Sequence, residues 1–270
     1  MNAGGIPAYR DRYLPAMTPE RIAALPDKAW APVIVATGAI EQHGPHLPVA
    51  VDALMGQIWL SLALARLPTG ASAYVAPPIT IGKSNEHSGF PGTLTISRDT
   101  LRALLLAVAR QVHAWGFHQL AVLNTHGGNS SVLKYTVREI QATFGLRAGL
   151  LRPKLDLDVS AQEAAYGFHA GEVETSWIMA AAGSLVRPAA AGCEYPARLG
   201  DPGELRPESA PATFAWTTRD LSRTGVMGDA TAATAAKGAR WLDQGATAYA
   251  ELIADWCDQG RRAAGVEPGA

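Results

Sequence analysis

Ala31-Pro-Val-Ile-Val-Ala-Thr-Gly38 is an almost unbroken apolar, β-branched run closed by glycine. A strand with one face in water alternates apolar and polar residues. This run does not, so it reads as a strand covered on both sides. Outward from it, helix and strand patterns take turns. Asp52 to Leu67 repeats apolar residues at helical spacing through Leu54, Ile58, Leu62 and Ala65, and stops at Pro68. Tyr74-Val-Ala-Pro-Pro-Ile-Thr-Ile81 predicts a second strand interrupted by prolines, followed by a Gly- and Ser-rich loop from Gly82 to Thr95. Ser97 and Asp99 suit the cap of a helix from about Thr100 to Trp115, with Leu101, Leu105, Val108 and Val112 on one face. Gln119-Leu-Ala-Val-Leu-Asn124 predicts a third strand, and Ser130 to Phe144 a further helix.

That alternation favours crossover connections and a mostly parallel sheet with helices on both faces. From Pro188 to Arg223 periodicity is lost and Pro, Gly and Glu are frequent. This predicts an irregular surface excursion, after which Asp229 to Cys257 resumes a long amphipathic helix. Residues 1–270 are therefore expected to form one domain with an excursion near 188–223.

Composition narrows the function classes. The 270 residues are 48% hydrophobic and 17% charged, a globular balance rather than a disordered one. A formal charge of −1 leaves no electrostatic footprint for nucleic acid or anionic lipid. No apolar run approaches the roughly 20 residues needed to span a bilayer. The first residues lack the positive-then-apolar pattern of a secretory signal. The expectation is a cytoplasmic protein with no membrane and no nucleic-acid partner. Cys193 and Cys257 read as unrelated thiols.

Three segments carry the unusual chemistry, each just beyond a predicted strand or helix start, where ligands collect in such sheets. They are Glu41-Gln-His43-Gly-Pro-His46 with Asp52, Asn124-Thr-His126-Gly-Gly-Asn129, and His169-Ala-Gly-Glu172-Val-Glu174-Thr-Ser. Glu-x-His on an extended segment points both side chains the same way. Imidazole mixed with carboxylate suits Zn²⁺, Mn²⁺ or Fe²⁺, whereas Ca²⁺ prefers oxygen alone. A carboxylate able to bridge two ions points to a binuclear site and to hydrolysis by an activated water. His46, wedged between Pro45 and Leu47-Pro48, reads as a residue that orients a ligand by hydrogen bonding. His87 reads as a solvated loop residue outside the metal set. His113 and His118 bracket a helix end and read as structural.

These motifs, together with Thr224-Gly-Val-Met-Gly-Asp-Ala-Thr231, resemble the creatininase (creatinine amidohydrolase) family from about residue 30 to 245. The resemblance implies a three-layer α/β/α sandwich with a mostly parallel sheet, commonly assembled as a hexamer. It also implies two divalent ions per chain. Glu41, Asp52 and His126 would hold one; His43, Asp52 and a further Glu would hold the other, with Asp52 bridging. His169 matches the histidine thought to assist proton transfer to the leaving nitrogen. Where creatininase has Tyr and a liganding Glu after its metal His, this chain has Gly127 and Gly128. Glu172 is expected to replace that ligand, with Glu174 behind it as a hydrogen-bonding partner. Ala165 stands where creatininase has a substrate-contacting Trp, which argues against creatinine. The implied activity is a metal-dependent amidohydrolase that uses a metal-bound hydroxide on a C–N bond of a small non-peptide amide, linear or cyclic. A peptidase or formamide deformylase of the same family, and a non-catalytic binding protein of the same fold, are the alternatives.

Overall fold

The computed structural model describes residues 7–196, 199–206 and 212–266. Four strands, β1 (Pro32–Thr37), β2 (Tyr74–Val75), β3 (Gln119–Asn124) and β4 (Arg147–Leu150), form one parallel sheet in the order β2-β1-β3-β4. β1 and β3 pair along their whole length, from Pro32 opposite Gln119 to Thr37 opposite Asn124. A short helix α1 (Pro19–Ala23) precedes the sheet. Helices α2 (Val51–Leu64), α3 (Arg98–Ala114) and α4 (Ser130–Phe144) make the successive crossovers.

Period-two alternation sorts the sheet residues between two cores. Ile34, Ala36 and Leu123 pack with Met55 and Trp59 of α2 and with the later helices α6 (Glu172–Ala182) and α8 (Ala235–Ala264). Val33, Val35 and Val122 pack with Leu101, Leu105, Leu133 and Ile140 of α3 and α4. The result is helix layer, parallel sheet, helix layer. Each fully buried Leu or Ile in these cores contributes roughly 1.5–3 kcal/mol.

Four details differ from the sequence reading. The second strand shrinks to two residues, because Pro77 and Pro78 cannot donate to a ladder; Ile79 returns only as a single bridge to Thr37. β4 has no counterpart in that reading; it is a short strand of half-buried residues. The last helix starts six residues late, since Thr234 caps it by accepting from the Lys237 N–H at 3.2 Å. The stretch before it holds β6 (Gly228–Asp229), antiparallel to β5 (Cys193–Glu194).

Described residues of the expected surface excursion pack onto the fold. Leu199, Leu205 and Leu221 bury against Met227, with Phe168 and Trp216 alongside. α5 (Ala161–Tyr166) precedes α6, and the excursion holds the single-turn helix α7 (Thr218–Leu221). Among the described residues no helix is long and apolar enough to cross a membrane.

Strand order reverses between β1 and β3, so their carboxyl ends open the crevice where α/β sheets hold ligands. The Thr37 hydroxyl donates to Asn124 Oδ1 at 3.0 Å and ties those two ends together.

Candidate metal centre and active site

Each element delivers its side chain for a local reason. Beyond β1, Glu41 and His43 lie two residues apart on extended chain and face the crevice together. Gly38 lets the strand end press against the start of α2: a Cβ there would lie 2.8 Å from the Ala53 nitrogen. Asp52 sits in the first turn of α2, where the helix dipole favours negative charge. The Thr125 hydroxyl holds the Asp52 carbonyl at 2.7 Å. His126 follows β3. Gly128 is closed to any side chain, because a Cβ would overlap the Lys83 carbonyl, the Glu86 carboxylate and the His126 ring.

These side chains converge. His126 Nδ1 lies 3.3 Å from Glu41 Oε1 and 3.3 Å from Asp52 Oδ2. His43 Nε2 lies 3.6 Å from Asp52 Oδ1 and 3.8 Å from Glu174 Oε2. His169 Nδ1 lies 3.7 Å from Glu41 Oε1. Three groups could each hold a cation: Glu41 with Asp52 and His126, His43 with Asp52 and Glu174, and Glu41 with His43 and His169. Asp52 belongs to two of them.

The imidazoles are set for this work by their outer nitrogens. His43 Nδ1 meets the Glu41 carbonyl at 3.1 Å, His126 Nε2 the Lys83 carbonyl at 3.0 Å, and His169 Nε2 the Gln42 carbonyl at 2.6 Å. A carbonyl only accepts, so each of these nitrogens carries the proton, and in the neutral ring the other turns its lone pair into the cluster. Glu41 Oε2, His43 Nε2 and Asp52 Oδ2 are buried without a hydrogen-bond partner. Buried polar atoms are seldom left so, and divalent cations held by these groups would satisfy them. The donor set therefore fits a metal.

The electrostatics agree. Burial is the largest influence on His43 and lowers its affinity for a proton, but Asp52, Glu174 and Glu41 together outweigh it and hold His43 up at about 9. Burial works the same way on His126, and Glu41 and Asp52 reverse it, leaving His126 well above its ordinary value. Burial pushes Glu41 up to about 7, against the pull of His126. Asp52 is held below its usual range because His126 and His43 overcome its burial. Burial and the His43 charge keep His169 well below its ordinary value, so it is a neutral base.

Glu172, expected as a ligand, is not among the three groups. Both glutamates fall in the first turn of α6, where two residues apart means opposed directions. Glu172 turns to Lys237 of α8 and forms an ion pair; Glu174 takes the crevice side, its Oε2 accepting from the Ala170 N–H at 2.6 Å. Ala170 has φ 53°, the left-handed region that costs a residue bearing a Cβ, so the turn is held against strain to make that contact. His169 itself is pinned by an antiparallel bridge to Met227, which gives the Thr224–Thr231 motif its place. His46 donates to no member of the cluster; its Nε2 lies 2.8 Å from Thr175 Oγ1, one residue beyond Glu174.

His87, read from the sequence as solvated, is buried and lies 3.5 Å from Glu41 Oε1. Its ring lies against that of His169, tilted, with centroids 4.3 Å apart, and the His43 ring lies 4.2 Å from the same His169 ring. Gly, Ser and Pro around it imitate a solvent loop. The signal that could have found it is position: the loop follows the second strand at the same sheet edge as the other motifs. A cavity of about 780 Å³ opens over the cluster, walled by Trp59, Trp177, Phe168 and Trp216. The excursion supplies Trp216 and Arg206, so it forms a wall of the site.

The creatininase family model, described as creatinine amidohydrolase, matches residues 15–253. The chain belongs to the creatininase family. A mycofactocin precursor peptide peptidase of Mycolicibacterium smegmatis is 33% identical to this family member over 226 residues, 83% of this chain and 85% of the relative. A substituted creatininase in its Zn-Zn form matches the fold with a TM-score of 0.66 at 22% identity, over 93% of this chain and 97% of its own. A manganese creatininase matches with a TM-score of 0.62 at 22% identity, over 94% and 96%.

Proposed function

We propose that this chain is a metal-dependent hydrolase that cleaves an amide C–N bond. The observation that carries the reading is the convergence of three buried, unpartnered ligand atoms, on Glu41, His43 and Asp52, from two separate segments. Glu41, Asp52 and His126 would hold one divalent ion and His43, Asp52 and Glu174 a second, Asp52 serving both. Bound ions of the Zn²⁺, Mn²⁺ or Fe²⁺ type would polarise the carbonyl and bring the pKa of a water to about 7.

The protein's own groups supply the rest. His169 is neutral, its tautomer fixed by the Gln42 carbonyl, and its Nδ1 is turned to the cluster. It takes a proton at Nδ1 and returns it to the departing amide nitrogen. The aromatic walls exclude water from the amide and position its flanking groups.

A short peptide is the favoured substrate. The cavity of about 780 Å³ is generous for a small cyclic amide, and the M. smegmatis relative, similar over most of both chains, acts on a precursor peptide. The restriction to non-peptide amides is therefore not kept. A small amide remains the second reading, favoured by the creatinine amidohydrolase description of the matching family.

The test is metal analysis of purified protein followed by turnover of short peptides, formamides and lactams after loading with Zn²⁺ or Mn²⁺. About two ions per chain and hydrolysis of a member of this set are expected. Absence of bound metal after loading would overturn the reading.

A further inference from the structure

Gln42 sits between the metal-binding residues Glu41 and His43, and its amide can be oriented without ambiguity. The Gly44 N–H donates to Gln42 Oε1 at 2.9 Å, and Gln42 Nε2 donates to the Gly225 carbonyl at 3.2 Å. Flipping the amide would break both bonds, so the nitrogen is where it stands. Gly225 has φ 91° and leaves no room for a Cβ beside the Gln42 side chain, which keeps that carbonyl in reach. The second hydrogen of Gln42 Nε2 meets His87 Nδ1 at 2.9 Å; the same Gln42 nitrogen lies 3.1 Å from His169 Nε2, whose own proton goes to the Gln42 carbonyl at 2.6 Å. The hydroxyl of Thr218, from α7, meets His87 Nδ1 at 2.8 Å.

A protonated Nδ1 would set a donor against the Gln42 donor. His87 Nδ1 is therefore an acceptor, and the ring hydrogen is on Nε2. That nitrogen faces Glu41 Oε1 at 3.5 Å. In the neutral ring each of the other three imidazoles of the cluster turns a lone pair inward; neutral His87 turns a hydrogen inward. It is built as a donor to Glu41, not as a ligand.

We propose that His87 is a positioning residue: its Nε2–H faces Oε1 of Glu41 and orients that carboxylate for the ion, and Gln42 fixes the tautomer that makes this possible. The inference rests on the metal reading of Glu41, but its first test does not. Carboxylate ligands are commonly oriented by such hydrogen bonds. The irregular segment touches this ring through Thr218.

The deciding measurement is long-range ¹⁵N–¹H correlation spectroscopy of the histidine-labelled protein, with His87→Ala used to assign the ring. The Nε2–H pattern is expected; an Nδ1–H pattern or an imidazolium would overturn the proposal. Zn²⁺ affinity, by competition with a chromophoric chelator, provides the second readout. His87→Ala should weaken binding roughly tenfold to a hundredfold, while His87→Gln, whose amide nitrogen can reach the place of Nε2, should stay within about threefold of the parent. Parent-like affinity in His87→Ala would overturn it. Equal losses in both variants would too, because they would make His87 a ligand. If His87→Ala does not fold, the ring is assigned from His87→Gln and the tautomer still decides. If the unsubstituted protein binds no Zn²⁺, the metal reading fails while the tautomer measurement stands on its own.

Discussion

Asp52 is the residue on which two candidate ion positions depend. Asp52→Ala is expected to abolish metal binding at both and to lower turnover to background; metal analysis of the folded variant checks it, and two ions retained per chain would remove the bridging role. His169→Ala should behave differently. Its Nε2 is committed to a backbone carbonyl and its Nδ1 works as a base, so the rate should drop by about 10²–10⁴ with metal content unchanged. Loss of metal along with activity would make His169 a ligand, as its group with Glu41 and His43 allows. Protons and cations compete for the same atoms. His43 stays protonated up to about 9 and Glu41 up to about 7, so each must release its proton before it can ligate. Affinity for Mn²⁺ should therefore rise with pH between 6 and about 9, by up to about tenfold per unit for each proton released. A flat profile from calorimetric titrations would mean that those protons are not where the structure puts them.

At the scale of elements, α6 decides which glutamate faces the crevice. Its first turn sends Glu174 to the crevice and Glu172 to Lys237 of α8. Glu174→Gln should lower metal content while its Tm in chelator stays at that of the chelated parent. Glu172→Gln should keep the metal and cost about 1–2 kcal/mol, since Lys237 is partly exposed and can find water. Reversed outcomes would exchange the two roles. The sequence could not settle this pair, because Gly171 interrupts the pattern just before both residues and the register of the turn depends on what packs beneath it. Thr175 and Ile178, buried on one face, set that register. β1 was legible for the opposite reason: buried on both faces, it runs apolar from Pro32 to Ala36 with a polar residue only at its end, Thr37. β4 was hidden because its four residues, Arg147 to Leu150, are half-buried and carry neither a β-branched run nor an alternation. His87 was hidden by loop composition, which reports the local chain and says nothing about what lies across a crevice.

For the molecule as a whole, the candidate ions would join parts that are distant in sequence: the loop after β1, the start of α2, the turn after β3 and the start of α6. The sheet and its two cores hold these parts without metal, so the protein should fold with chelator present. A ligand that binds only the native state adds about 2.7 kcal/mol at a hundredfold excess over its Kd, and two such ions about twice that. For a chain of this size each kcal/mol raises Tm by roughly 2–4 °C, so saturating Zn²⁺ or Mn²⁺ should raise Tm by about 10–20 °C and chelator should reverse it. The Asp52→Ala protein supplies the control. It should unfold near the chelated parent and show little response to metal, because neither candidate position keeps its shared carboxylate. An equal rise in that variant would mean that the ions act on the surface, and the stitching of four segments by one buried cluster would have to be given up.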